Sequence, residues 1–374
     1  MAFSPFYPFV DLAPRSANTS NSLSSQVWQE LVMLRHFETE SEGGLRWGIV
    51  PWIDQGKAYF QDAVRSNWRS AGLLYYYSFL NLAKAYLGWK KKYSIDDLNK
   101  ISIHHGLSSK PQEFSNLINY EIGILPPQYQ GRSNIFSALF ETITAQAWPF
   151  ADVQKISLGS ISGYCRDIGA ELKSLYGIEN RIIEIESLTR FENSNSWIEM
   201  NVHESKANIL KEDVSPWTLS ELIPSNMDRN DERDWLFCFH RTKDTFIKTK
   251  FLRGPKQRFT SSNMNAIGKK VISEALKHLM PFAIPTVQDI QVRPYWLFLP
   301  KINLNGKNVR WHPLLSDYLF AFVLSTILRY HPEVLEIDNK DYFLAEAWSN
   351  QSPITTLRYF LMLFTDPPLR INTI

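Results

Sequence analysis

The chain has 374 residues and a net charge of +2, with 40 Lys and Arg against 38 Asp and Glu. Its 23 Phe, 16 Tyr and 12 Trp are too many for a disordered chain, and its composition excludes collagen, coiled-coil and Gln/Asn-rich architectures. The charge balance predicts no global attraction to nucleic acid or membrane, so any such attraction must come from a local patch.

Residues 1–24, rich in Pro, Ser and Asn, read as a flexible arm without the basic start of a secretory signal. Val27, Trp28, Leu31 and Leu34 then fall at helical spacing within Val27–Phe37, after Ser24 or Ser25 as a cap. The apolar stretch Trp47–Trp52 is broken by Pro51. A long core helix is predicted from about Asn67 to Trp89. Leu73, Tyr76, Tyr77, Leu80 and Lys84 trace one of its faces, and Tyr75, Phe79, Leu82 and Tyr86 another. Lys90, Lys91 and Lys92 follow, where cations suit the negative end of the helix dipole. Ser94–Asp97 resembles a capping box with Asp in place of Glu, opening a short helix that ends before His104. Asn134–Ala147 and Ile161–Tyr176 read as further helices.

The pattern changes near Arg181. Arg181–Glu192, Trp197–His203, Trp235–His240, Thr245–Leu252 and Tyr295–Leu299 carry strand character, with a helix predicted over Asn263–Met280. The C-terminal part returns to helix. Pro313–Tyr330 is strongly apolar and is stopped by Pro332. Two more helices are predicted, Asp341–Trp348 and Pro353–Phe364, the second with Ser352 as its cap and Pro353 at its first position. The class is therefore α+β: helical regions 25–178 and 301–374 packed together around a mixed β-rich region, 179–300. The apolar runs Leu73–Leu87 and Leu314–Leu328 are interrupted by Asn81, Lys84 and Asp317, so they read as buried helices and not membrane spans. A cytoplasmic protein with no membrane partner is expected. Cys165 and Cys238 read as separate buried thiols.

No phosphate loop, dinucleotide fingerprint, nucleophile elbow, HExxH or CxxC occurs, so no cofactor is implied. The scattered histidines have no metal-ligand spacing, and no metal is expected. Three places carry candidate chemistry. In Ile103-His104-His105-Gly106-Leu107, followed by Ser108, Ser109 and Lys110, an imidazole suited to proton transfer precedes a glycine that permits a sharp turn. The alternative is a corner whose imidazole bonds a backbone carbonyl. Arg329-Tyr330-His331-Pro332 ends an apolar helix, where cations also suit the last carbonyls, so a site there requires a second element such as His104 or His105 nearby. The third place is the stretch Arg241, Lys243, Lys248, Lys250, Arg253, Lys256 and Arg258, opposed only by Asp244 for a net +6, with Phe246, Phe251 and Phe259 interleaved. Cations for phosphates and ring faces for bases suit a single-stranded nucleic acid. The same stretch could form strands with solvated faces and inward Phe, and the acidic run Asp228–Asp234 could neutralise it.

Two segments carry a family resemblance: LLYYYSFLNLAKAYLG…IHHGLSSK over Leu73–Lys110, and HPLLSDYLFAFVLSTILRYHP over His312–Pro332, with Leu357–Leu361 beyond. Together they resemble the YaaC-like bacterial family across roughly Trp52–Phe364, and His105, Gly106, Arg329 and Tyr330 match its pattern. The resemblance implies placement and no particular reaction. The helical part is also similar, more distantly, to the HEPN-type bundles of bacterial defence and toxin systems. Those with ribonuclease activity carry Arg, four to six residues, then His on a helix. Arg233 and His240 alone have that spacing here, on a predicted strand.

Three functions follow, in order of expectation. The first is a component of a bacterial stress or phage-defence system that binds nucleic acid (single-stranded or RNA) or protein, in which charge reversal at Lys248, Lys250 and Arg253 abolishes nucleic-acid binding. The second is an interaction subunit without a ligand, held to a protein partner or to its own copy through aromatic residues. The third is a metal-independent ribonuclease, with His104 or His105 as general base and Arg329 or Lys110 stabilising the phosphorane charge.

Overall fold

Pro51 starts a helix. In the computed structural model α1 spans Val50–Arg65 with proline in its first turn, where its missing N–H costs nothing. Trp52, Ile53, Gly56, Phe60 and Ala63 form its buried stripe. The sequence reading of Pro51 as a break is corrected on this point. The structure describes residues 27–29, 31, 49–90, 92–93, 97–98, 103–109, 114–130, 132–192, 195–203, 240–241, 246–253, 283–286, 295–298, 301–336 and 339–364, and between 183 and 298 the backbone alone. The helices expected within Val27–Phe37 and after Ser94 lie largely outside these residues, and that over Asn263–Met280 wholly so. The chain divides into two units: the described residues of Arg181–Lys301 form one, and those of Pro14–Asn180 and Ile302–Thr365 the other.

In the helical unit α2 spans Trp68–Trp89, and the Asn67 side chain accepts the Arg69 N–H at 3.0 Å as its cap. It is buried around most of its circumference. Gly56 lets α1 come close, and the Ser78 hydroxyl donates to the Gly56 carbonyl at 2.7 Å. Strands β1 (Leu107–Ser108), β2 (Glu121–Ile124) and β5 (Gln154–Ser157) form a small antiparallel sheet in the order β1-β2-β5, while β3 (Gln128–Tyr129) and β4 (Arg132–Ser133) make a separate hairpin. Between them α3, Ile135–Thr144, is capped by Asn134 and ended by Ala145 in the left-handed region, so it is shorter than the expected Asn134–Ala147. Ile161–Tyr176 was expected as one helix and is two, α4 (Leu158–Ser162) and α5 (Gly169–Tyr176). The Ser157 hydroxyl accepts the Ser160 N–H and starts α4 early, and Gly163 ends it.

The other unit holds one six-stranded antiparallel sheet. Its strands are β6 (Ile183–Glu192), β7 (Asn195–His203), β8 (His240–Arg241), β9 (Phe246–Arg253), β10 (Ala283–Thr286) and β11 (Tyr295–Phe298), in the order β10-β11-β6-β7-β9-β8. One face collects Ile185, Val202 and Ile247 in a row, and the other Glu186, Asn201 and Lys248. This alternation is what a sheet with one apolar and one polar face requires. Strand β10 had no counterpart in the sequence reading.

The chain then returns to the helical unit through a hairpin, β12 (Lys301–Leu304) and β13 (Lys307–Arg310), and two helices, α6 (Pro313–Tyr330) and α7 (Lys340–Phe364). Every residue of α6 from Pro313 to Ile327 is buried. His312 caps it: Nδ1 accepts the Leu314 N–H at 2.9 Å, and burial lowers this histidine's pKa to about 3. Leu324 and Leu328 lie so close to Gly72 of α2 that a Cβ there would sit 2.9 Å from Leu328. Aromatic pairs continue the seam, Tyr76 with Phe322 at 5.5 Å and Phe320 stacked on Trp348 at 5.2 Å. Each such pair adds about 1 kcal/mol beyond its burial. The two expected C-terminal helices are one, with Pro353 inside α7. Ser352 and Pro353 are both buried, so packing on either side carries the helix through a proline that would otherwise end it. Helix-rich with small antiparallel sheets, the protein is α+β. No helix among the described residues is long and apolar enough to cross a membrane.

Candidate functional site

His104 and His105 sit at the corner that starts α3. The His104 carbonyl accepts the Ile135 N–H at 2.8 Å, and the His105 carbonyl accepts that of Phe136 at 3.2 Å. Asn134 Oδ1 takes the Ser137 N–H at 2.8 Å. The Ile135, Phe136 and Ser137 donors of this helix start are therefore used within the chain. Gly106 is required: its φ is +88°, and a Cβ would lie 2.3 Å from Asn134 Oδ1. The His-Gly pair is thus fixed by backbone architecture, while its imidazoles remain to be accounted for.

His105 has an exposed side chain whose Nδ1 accepts the Leu107 N–H at 3.2 Å. Its ring lies 5.9 Å from Phe322. Partial burial, and then the charges of His104, Arg329 and Lys84, hold its pKa below the usual histidine range. At neutral pH the ring is neutral, and because Nδ1 is an acceptor its proton is on Nε2. His105 therefore presents a donor through Nε2–H, while its Nδ1 lone pair is engaged by the Leu107 N–H. His104 differs: its Nε2 is buried without a partner among the described residues.

His105 packs on α6 through Phe322, and the charges of Arg329, at the end of α6, and of Lys84, on α2, both reach it. The Arg329 Nε donates to the Ser325 carbonyl at 2.8 Å, and its guanidinium lies 5.1 Å from the centre of the Tyr330 ring. Lys84 is half-buried, and that burial lowers its pKa. Neither cation has a carboxylate partner among the described residues. Lys84 was read as part of a helix face and as a charge interrupting an apolar run, and that interruption was the signal. Lys110 lies outside the described residues.

The basic stretch is only partly in view. Lys243, Lys256 and Arg258 lie outside the described residues. Lys248, Lys250 and Arg253 are on β9, and Arg241 is on β8. Lys250 pairs with Glu199 and Lys248 with Asn201, which itself pairs with Glu186. The two lysines therefore share a face with two carboxylate residues. Arg241 pairs with Ile247 and belongs to the opposite face, and a register shift at Trp197 and Ile198 precedes the pairing of Arg253.

A second polar cluster is buried in the helical unit. Asp317 of α6 accepts the Trp348 indole N–H at 3.2 Å and interacts with Cys165 and Thr356. Burial, and then the neighbouring Asp167 charge, push its carboxyl up to about 8. Cys165 is a free, buried thiol whose pKa burial raises further. Asp317 appeared in the sequence only as the residue that disqualified a membrane span. No group of metal-ligating side chains forms among the described residues.

These features define an α+β protein whose helical unit holds a cationic, partly aromatic surface site around a neutral histidine. The chain belongs to the YaaC-like Protein family, which matches it over residues 16–348. The match begins before the Trp52 expected from the sequence and ends before the Leu357–Leu361 segment. No curated protein and no solved structure matches the chain.

Proposed function

We propose that the protein binds nucleic acid, receiving phosphates at Lys84, His105 and Arg329. The observation that carries this reading is the grouping of two cations and an Nε2–H donor with no carboxylate partner among the described residues. Unpaired cations placed together attract a polyanion, and a neutral N–H donor recognises a phosphate oxygen without needing to be charged. The reading is of binding without cleavage, since His105 is poised to donate and not to accept a proton.

The packing of α2 against α6 and α7 is compatible with a HEPN-like bundle, and we place the protein with the cytoplasmic stress and phage-defence proteins that such bundles resemble. The test is binding of a short single-stranded RNA across a salt series. The double variant Lys84→Gln/Arg329→Gln should lower the slope of log affinity against log salt by about 1.4, or about 0.7 per lost phosphate contact. A wild-type protein that binds no strand at low salt, or a double variant with an unchanged slope, removes the proposal.

A further inference from the structure

Tyr330 adjoins this site and, among the described residues, is the most exposed of the large apolar or aromatic side chains, at 63%. It is the last residue of α6, and the chain leaves the helix at His331, whose φ is −141°. His331 is turned to other partners, with Nδ1 3.4 Å from Glu333 and its ring 5.5 Å from Phe114. The Arg329 guanidinium lies over one face of the Tyr330 ring, 5.1 Å from its centre, and is held through Nε by the Ser325 carbonyl. That anchor leaves the two terminal nitrogens of the fork without a partner among the described residues. A planar fork of this kind matches two oxygens of one phosphate. The ring of this largely exposed tyrosine, on the face away from the guanidinium, matches the face of a base.

Resting on the nucleic-acid reading above, we infer that the ligand is a single strand, with one nucleobase stacked on Tyr330 while the Arg329 fork holds a neighbouring phosphate. A duplex keeps its bases stacked on one another, so it could use the cations and not the ring. Binding therefore separates into a charge part, set by Lys84 and Arg329, and a stacking part, set by Tyr330. Because stacking tolerates every base, the site selects strandedness and not sequence.

The experiment uses a short RNA strand carrying the fluorescent base 2-aminopurine, the same strand in a duplex, and the wild-type, Tyr330→Ala and Tyr330→Trp proteins. The wild type should quench the fluorescent base in the single strand. Tyr330→Ala should lose that quenching and bind the strand about tenfold more weakly, while keeping the wild-type salt slope and duplex affinity. Tyr330→Trp should restore both. Tyr330 is largely exposed, so the substitutions leave the core intact. If Tyr330→Ala binds and quenches like the wild type, with the salt slope still set by Lys84 and Arg329, the stacking inference is overturned and the nucleic-acid reading stands. If the wild type binds no strand, both go together.

Discussion

The two units carry their positive charge in opposite ways. The stretch from Arg241 to Arg258 holds seven cations within eighteen residues, yet its β9 register sets Lys250 opposite Glu199 and separates Arg241 onto the other face. In the helical unit Lys84 and Arg329 are 245 positions apart, yet the charges of both reach His105, and neither has a carboxylate partner among the described residues. Charge density along a chain is therefore a poor guide to charge density in space. A strand divides neighbouring residues between two faces, and the pairing strand then decides which partner each receives. Helix packing instead gathers residues from distant parts of the chain.

The largest expected effect breaks the frame of the helical site. Gly106→Ala must relieve both a positive φ and an overlap with Asn134, and it should cost about 3 kcal/mol in urea unfolding. A variant as stable as the wild type would show that the corner does not hold His105 as described.

A second effect comes from Asp317, which ties α6 to α7. Its carboxyl keeps its proton to about 8 when folded, against the ordinary value of 3.8. Between those values only the folded state binds the proton, so raising the pH favours unfolding, and above about 8 the dependence levels off. The contribution reaches about 1.4 kcal/mol per pH unit at most. Asp317→Asn should flatten the fall in stability between pH 5 and 8, as read from unfolding midpoints. Equal slopes in the two proteins would mean that the folded carboxyl is already ionised.

The comparison itself predicts unequal outcomes for the same chemistry. Lys84→Glu with Arg329→Glu should weaken RNA binding at low salt by more than tenfold. Lys248→Glu with Lys250→Glu should change it by less than about twofold, because carboxylate residues already share that face. Equal losses from both pairs would return the sheet to the centre of the account.

Much of the helical framework was legible in the sequence. Pro313–Tyr330 was bounded correctly because a proline opens the helix, another follows it, and Asp317 is its only charged residue before Arg329. Asn67 and Trp89 marked α2 for similar reasons. The misses came where tertiary burial overrides a local signal. Pro353 reads as a start because a solvent-exposed helix would break there, yet packing carries α7 through it. At the site, His105 and Arg329 were visible as residues, but the role of His105 was not. Its proton position depends on the Leu107 N–H, a backbone donor that no sequence pattern displays. Lys84 was hidden by its own surroundings, since a lysine on an apolar helix reads as a face and its neighbours arrive from elsewhere in the chain.

One measurement compares the two regions on the same molecule. The protein is treated with an amine-acetylating reagent with and without a saturating short RNA strand, and each lysine's modification is read by mass spectrometry. The strand should protect Lys84 and leave Lys248 and Lys250 as reactive as before. Protection of Lys248 and Lys250 with Lys84 unaffected would contradict this.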